Sequence, residues 1–177
     1  AVLLDANGEV LRPAIIWCDQ RTAAECEWVT AEVGASRLLE LTSNPALTNF
    51  TLTKLLWVRA HEPDLWARVR HVLLTKDYVR YQLSGTMAMD VTDASGTLML
   101  DVAKRRWSLE LLEALEIPAA LLPPVFESPD VCARISAHAA RATGLLAGTP
   151  IVAGAGDQAA GAVGMGILRP GTVSVTI

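Results

Sequence analysis

The stretch Ile151–Leu168, IVAGAGDQAAGAVGMGIL, constrains this chain's fold more than any other. An apolar run suited to a strand, Ile151-Val152-Ala153, enters a glycine turn, Gly154-Ala155-Gly156. One acid, Asp157, follows, and then a segment of small residues from Gln158 to Gly166. Strand, tight turn and small-residue helix together place a single carboxylate at a helix N-terminus with open space beside it. A membrane span is the competing reading of so apolar a stretch. Ala and Gly are only weakly apolar, however, and an Asp near a bilayer centre costs about 2.5–3.5 kcal/mol. Five glycines within the stretch further weaken a lone helix. The segment therefore reads as part of a globular fold. An Asp at this place serves either as a helix N-cap or as a working carboxylate. The helix dipole favours a carboxylate there in both roles, and residue chemistry alone leaves the two open.

The rest of the chain alternates short strands with helices. Val2–Leu4 and Val10-Leu11 flank Asn7-Gly8, which predicts a hairpin. Ala14–Trp17 reads as a short strand, and its continuation carries Trp17, Asp19 and Arg21 on alternate positions. On an extended chain those three side chains share one face; the plainer reading is a strand end with a surface ion pair. Thr22-Ala23-Ala24-Glu25 has capping-box spacing and opens a helix to Val33 that Gly34 ends, with Trp28, Val29 and Val33 as its buried stripe.

Ser36–Leu41 is expected to be helical, as is much of Asn49–Ala60 with Leu52, Leu55 and Leu56 inward. Pro63 suits the first turn of another helix. Val72–Leu74 reads as a strand, and Thr75 as the cap of a helix over Lys76–Leu83, where Lys76-Asp77 compensates the dipole. Met87–Val102 reads as a turn rich in Asx and Ser bonds to the backbone; calcium would need closer oxygen spacing and a final Glu. Ser108 caps a helix through Leu115, four prolines make Ile117–Asp130 a rigid connection, and Ile135–Thr143 is helical. Three or four short strands among six or seven helices make the chain α/β and helix-rich.

Composition excludes several function classes. The chain has 177 residues, is about half apolar and carries a net charge of -4, which argues against disorder and against a nucleic-acid surface. Its one basic cluster, Lys104-Arg105-Arg106, reads as a solvated turn. Cys18, Cys26 and Cys132 are odd in number and widely spaced, so a reducing cytoplasm is the expected setting. The three histidines have no metal-ligand spacing, and no signal-peptide pattern is visible. Ala1–Leu4 and Thr172–Ile177 read as strands without flanking turns, from which we expect a piece of a longer chain.

GAGDQAAGAVGMG resembles the glycine–acid motif of the FGGY carbohydrate kinases, within the actin/ribonuclease-H-like phosphotransferases. The other motifs agree in order: Trp17-x-Asp19-x-Arg21, FTLTKLLWV from Phe50, LLTKDY from Leu73, and DASGTLMLDV from Asp93. Within the family, LLxKDY and DASGTLMLDVAKRRWS look most like the xylulose kinases. The resemblance covers essentially the whole chain. It implies a partial N-terminal, sugar-binding domain over residues 1–171, and over 172–177 the first strand leading to a nucleotide-binding domain.

By the same resemblance, Asp157 is the general base that takes the proton from the attacking sugar hydroxyl, and Gln158 contacts the polyol through its amide. Trp17, Asp19, Arg21 and Asn49 would line or brace the same cleft. The reaction implied is phosphorylation of D-xylulose to D-xylulose 5-phosphate by ATP and Mg2+. The implied partners are sugar and ATP, with neither nucleic acid nor membrane, and a homodimer is an open option for the full-length protein. Another family kinase, for glycerol, gluconate or ribulose, and a non-catalytic sugar-binding module are the alternatives.

The family's Asp-x-Gly-Thr phosphate loop and Met-His segment have no counterpart in this sequence. Its Gly-Thr-Ser nucleotide loop would fall after Ile177. The chain alone is accordingly expected to be inactive.

Overall fold

The computed structural model describes residues 1–173; the strand expected over 172–177 lies largely outside them. Apolar spacing in the first half produces a helical body. α1 (Ala23–Val33), α2 (Ala35–Thr42), α3 (Thr51–His61), α4 (Pro63–Trp66) and α7 (Leu109–Ala114) enclose the largest core. Its centre is α3, whose Leu52, Leu55, Leu56 and Val58 meet Val29, Leu38, Leu41, Leu111 and Leu112. Each fully buried side chain of this kind contributes roughly 1.5–3 kcal/mol.

β1 (Val2–Leu4) lies along this body and pairs antiparallel with β2 (His71–Leu73). The predicted hairpin forms as a single bridge between Leu4 and Val10, and β1's other edge pairs with β2. Of the stripe foreseen on α1, Val29 is buried while Trp28 is exposed and lies under the Arg59 guanidinium, 5.8 Å from the ring centroid.

The second half is built from short pieces. α5 (Thr75–Ser84) leads to β3 (Met89–Asp90) and α6 (Val91–Ser95), and the hairpin β4 (Leu100–Asp101) and β5 (Arg106–Trp107) follows. After α7, a 3-10 turn at Ala119–Leu121 brings β6 (Val125–Phe126) parallel to β3. β7 (Val131–Arg134) pairs antiparallel with β8 (Pro150–Val152) across α8 (Ala137–Thr143), and α9 (Asp157–Gly164) ends the sequence of elements.

Among the described residues there are eight strands in four two-stranded sheets, more than the three or four expected. Seven of the strands are only two or three residues long, too short for a period-two pattern to mark them.

Several local expectations are corrected. Ala14–Trp17 is not a strand: the chain turns at Trp17-Cys18, where Asp19 N–H donates to the Ile16 carbonyl at 3.2 Å. The alternating face of Trp17, Asp19 and Arg21 is therefore lost. Thr22 does not cap α1; its hydroxyl turns inward and pairs with Thr53 Oγ1 at 3.1 Å. Thr75 does not cap α5 but is its first residue, after Leu74. The turn expected over Met87–Val102 is instead β3, α6 and β4, with the Asp90 carboxylate capping α6 through the Thr92 and Asp93 N–H groups. Ser108 caps α7 as expected, accepting from Leu111 N–H at 3.4 Å.

Candidate functional site

The glycine turn runs from β8 into α9 and is held almost entirely by polar contacts. Ala153 is buried; its N–H donates to the Asp130 carbonyl, and its own carbonyl accepts from Arg80 Nη1 at 2.6 Å and Lys76 Nζ at 3.2 Å. Gly154 has φ +82°, which side chains rarely tolerate. Gly156 leaves room rather than turning the chain. Its φ is ordinary, but a Cβ there would lie 3.1 Å from Asp93 Oδ1. Its N–H donates to Thr92 Oγ1 at 2.9 Å.

Asp157 is thus the first residue of α9, and Gly156 occupies the cap position with no side-chain cap bond. The Asp157 carboxylate accepts only the neighbouring Gln158 N–H, at 2.8 Å, among the described residues, and both side chains are exposed.

Beneath the turn lies a buried ionic network. Lys76 Nζ is 2.8 Å from Asp77 Oδ1, 2.8 Å from Asp90 Oδ1 and 3.5 Å from Asp93 Oδ2. Arg80 Nη2 reaches Asp77 Oδ1 at 2.7 Å and also the Ala88 carbonyl. Lys76-Asp77, read as dipole compensation at a helix start, is instead part of this network, with the Asp77 side chain wholly buried. Removing ions from water costs several kcal/mol each, so such a group persists only when closely paired.

Burial pushes the Asp93 carboxyl up, with Asp90 and Asp77 adding to it against the pull of Lys76. Burial also opposes ionisation of Asp90 and Lys76, but their mutual hydrogen bond and those to Thr92 and Asp77 outweigh it. Asp90 is held below the usual carboxylate range and Lys76 above the usual lysine range.

On one side of this network opens a cleft of about 270 Å3, lined by Trp17, Asn49, Thr51, Lys54, Thr75 and Asp93 among others. Two of the expected substrate residues, Trp17 and Asn49, are brought together here. Asp19 and Arg21 pair with each other at 2.9 and 2.8 Å, which holds the Asp19 carboxyl down to about 2. The Arg21 guanidinium sits over the Trp57 ring, 4.7 Å from its centroid. Gln158 lines a separate depression of about 320 Å3, beside Thr92, Ser95 and Arg105.

Sequence reasoning missed Lys54 and Asp93. Lys54 is buried within the apolar side of α3, donates to the Thr48 carbonyl next to Asn49, and has its pKa lowered by burial. A lone Lys at an inward position of an apolar helix was the available signal.

Among the described residues no group of three or more His, Cys, Asp or Glu could hold a metal ion. The carboxylates Asp77 and Asp90 are already committed to Lys76 and Arg80, so they do not fit a magnesium site. Nor is any helix among the described residues long and apolar enough to cross a membrane.

Residues 1–164 match the FGGY family of carbohydrate kinases, N-terminal domain. The chain is similar to the xylulose kinase of Escherichia coli, 45% identical over 95% of this chain and 34% of the relative. It is 42% identical to the xylulose kinase of Bacillus subtilis over 99% of this chain and 35% of that protein. The crystal structure of xylulose kinase from Rhodospirillum rubrum superposes with a TM-score of 0.91 at 34% identity, covering 96% of this chain and 35% of that one. The chain thus spans about a third of the length of the curated relatives it matches.

Proposed function

Since this chain belongs to the FGGY family of carbohydrate kinases, we propose that its parent protein transfers a phosphoryl group from ATP to D-xylulose, giving D-xylulose 5-phosphate. The fold is the α/β, ribonuclease-H-like and actin-like one of the sugar kinases. Residues 1–171 form part of the sugar-binding domain in this reading, with 172–177 leading toward a nucleotide-binding domain.

The observation that carries the chemistry is Asp157. It is a carboxylate at the start of α9, open to solvent, on a turn whose backbone is pinned by Lys76, Arg80 and Thr92. An alcohol is a weak nucleophile, and an ionised acceptor fixed beside it removes its proton as the bond to phosphorus forms. Gln158 offers an amide donor and acceptor to a polyol hydroxyl. In this reading Trp17 and Asn49 wall the sugar cleft, and the Asp19–Arg21 pair, with Arg21 over Trp57, braces the chain that carries Trp17. Phosphate and magnesium are held by parts of the protein other than the described residues, so the isolated chain is inactive in this reading.

Asp157→Asn in the full-length protein tests it. Loss of a general base lowers turnover about 10²–10⁴-fold with little change in ATP affinity. Near-normal xylulose phosphorylation by this variant would refute the assignment. A panel of xylulose, ribulose, glycerol and gluconate decides the substrate.

A further inference from the structure

We infer that Asp93 is a sugar-binding carboxylate, which accepts hydrogen bonds from substrate hydroxyls and fixes the sugar against the start of α9. The inference rests on the reading of Asp157 as the base and names a further residue of that site. Asp93 stands at a junction. Its side chain lines the cleft with Trp17 and Asn49, and its Oδ1 packs against Gly156, the residue before Asp157. No other carboxylate lines that cleft among the described residues.

Its hydrogen-bonding capacity is also unspent. Asp90 accepts from Thr92 N–H, the Thr92 hydroxyl and Asp93 N–H, and Asp77 is held by Lys76 and Arg80. Asp93 has only the 3.5 Å ion pair from Oδ2 to Lys76 and accepts no hydrogen bond from backbone or hydroxyl among the described residues. A carboxylate has about four acceptor positions. The Asp93 side chain is 28% exposed and lines the cleft.

The charges agree with this. Asp77, Asp90 and Asp93 are set against Lys76 and Arg80, which leaves one carboxylate without a full partner. Burial raising the Asp93 pKa is consistent with a group that lacks donors in the free protein.

The ligand chemistry that fits is a small polyol. A cleft of about 270 Å3 is at the low end for a ligand site, and its polar lining of Asn49, Thr51, Lys54, Thr75 and Asp93 offers the donors and acceptors that hydroxyls need. A hydroxyl donating to a charged acceptor is among the stronger neutral–ionic contacts.

The test uses the full-length protein, with the best sugar of the panel and its singly deoxygenated analogues. Asp93→Ala should raise the sugar KM about tenfold or more, as loss of a hydrogen bond to a charged group does. The ATP KM should stay within about twofold. One deoxy analogue should lose affinity with the unaltered protein, and lose almost nothing further with the variant, since the partner is already gone.

Asp93→Asn preserves side-chain volume but exchanges a charged acceptor for a neutral amide, and should raise the sugar KM by a smaller factor if the Ala variant folds poorly. Gly156→Ala, which leaves every charge in place but presses on Asp93 Oδ1, should also raise the sugar KM. A purely structural role would lower the denaturation midpoint and leave discrimination among the analogues as it was. That result, or an unchanged sugar KM in Asp93→Asn, overturns the inference. Asp157→Asn separates the two claims: if it is inactive while Asp93→Asn binds sugar normally, the base stands and Asp93 falls; if Asp157→Asn is active, the underlying reading itself fails.

Discussion

Helices α3 and α9 both border the proposed site, and they are held in opposite ways. α3 buries seven of its residues, and its position follows from apolar packing. α9 buries none among the described residues, and Val163 remains 61% exposed. What locates α9 is its first turn, through Ala153 on Lys76 and Arg80 and Gly156 on Thr92. The difference teaches that one wall of the site is set by hydrophobic volume and the other by hydrogen-bond direction. Apolar packing fixes a body to the nearest side chain. Charged donors on a single carbonyl fix an orientation, which a proton acceptor needs more than it needs a buried face.

The contrast is open to attack. Leu52→Ala, at a fully buried position of α3, should destabilise the protein by about 2–5 kcal/mol. Val163→Ala in α9 should change stability by less than about 0.5 kcal/mol. Urea unfolding measures both, and comparable losses would end the comparison. Next in size is Arg80→Met, which leaves the buried Asp77 with Lys76 alone and takes one donor from the Ala153 carbonyl. Breaking a buried pair costs about 3 kcal/mol or more. Amide exchange at Gly154–Gln158 should quicken in this variant beyond any change in α3.

Thr92→Val should cost about 1 kcal/mol, since it removes the acceptor of Gly156 N–H and a donor to Asp90. Its exchange signature should again be confined to the start of α9.

The smallest effect is in pH dependence. Asp90, with its pKa lowered in the fold, contributes stability that is present above the unfolded value of about 3.9 and lost as pH falls through the folded one. Asp93, with its pKa raised, works the other way: its contribution is present below about 3.9 and lost as pH rises through the raised value. The slope of stability against pH just above about 3.9 should therefore become more positive in Asp93→Asn. An unchanged slope would mean that Asp93 is better solvated than its surroundings indicate.

Legibility in the sequence divides along the same line. The helices of the body were readable because their apolar spacing and stops are local: Gly34 and Gly144 end helices where expected, and Ser108 caps α7. The turn before Asp157 was readable because glycine has few other uses between a strand and a helix. Trp17-x-Asp19-x-Arg21 misled, since a period of two holds only while the chain stays extended, and it turns at Trp17. Asp93 looked like a turn residue because its neighbours in sequence, Thr92 and Ser95, are turn formers. What distinguishes it is a glycine far along the chain that leaves room for its carboxylate. No spacing rule carries that information.

The contacts that pin the glycine turn also set an order of assembly. Ala153 reaches Lys76 and Arg80 across 77 and 73 residues, and Gly156 reaches Thr92 across 64. Closing loops of that length costs chain entropy that is repaid only once the distant partners are already in place. The helices of the α3 body all precede the glycine turn, ending with α7 at Ala114, so the body can condense beforehand, including while the chain is still being synthesised. The carboxylate at the start of α9 is then among the last groups to gain its position, and folding intermediates that hold the sugar wall would still lack the acceptor.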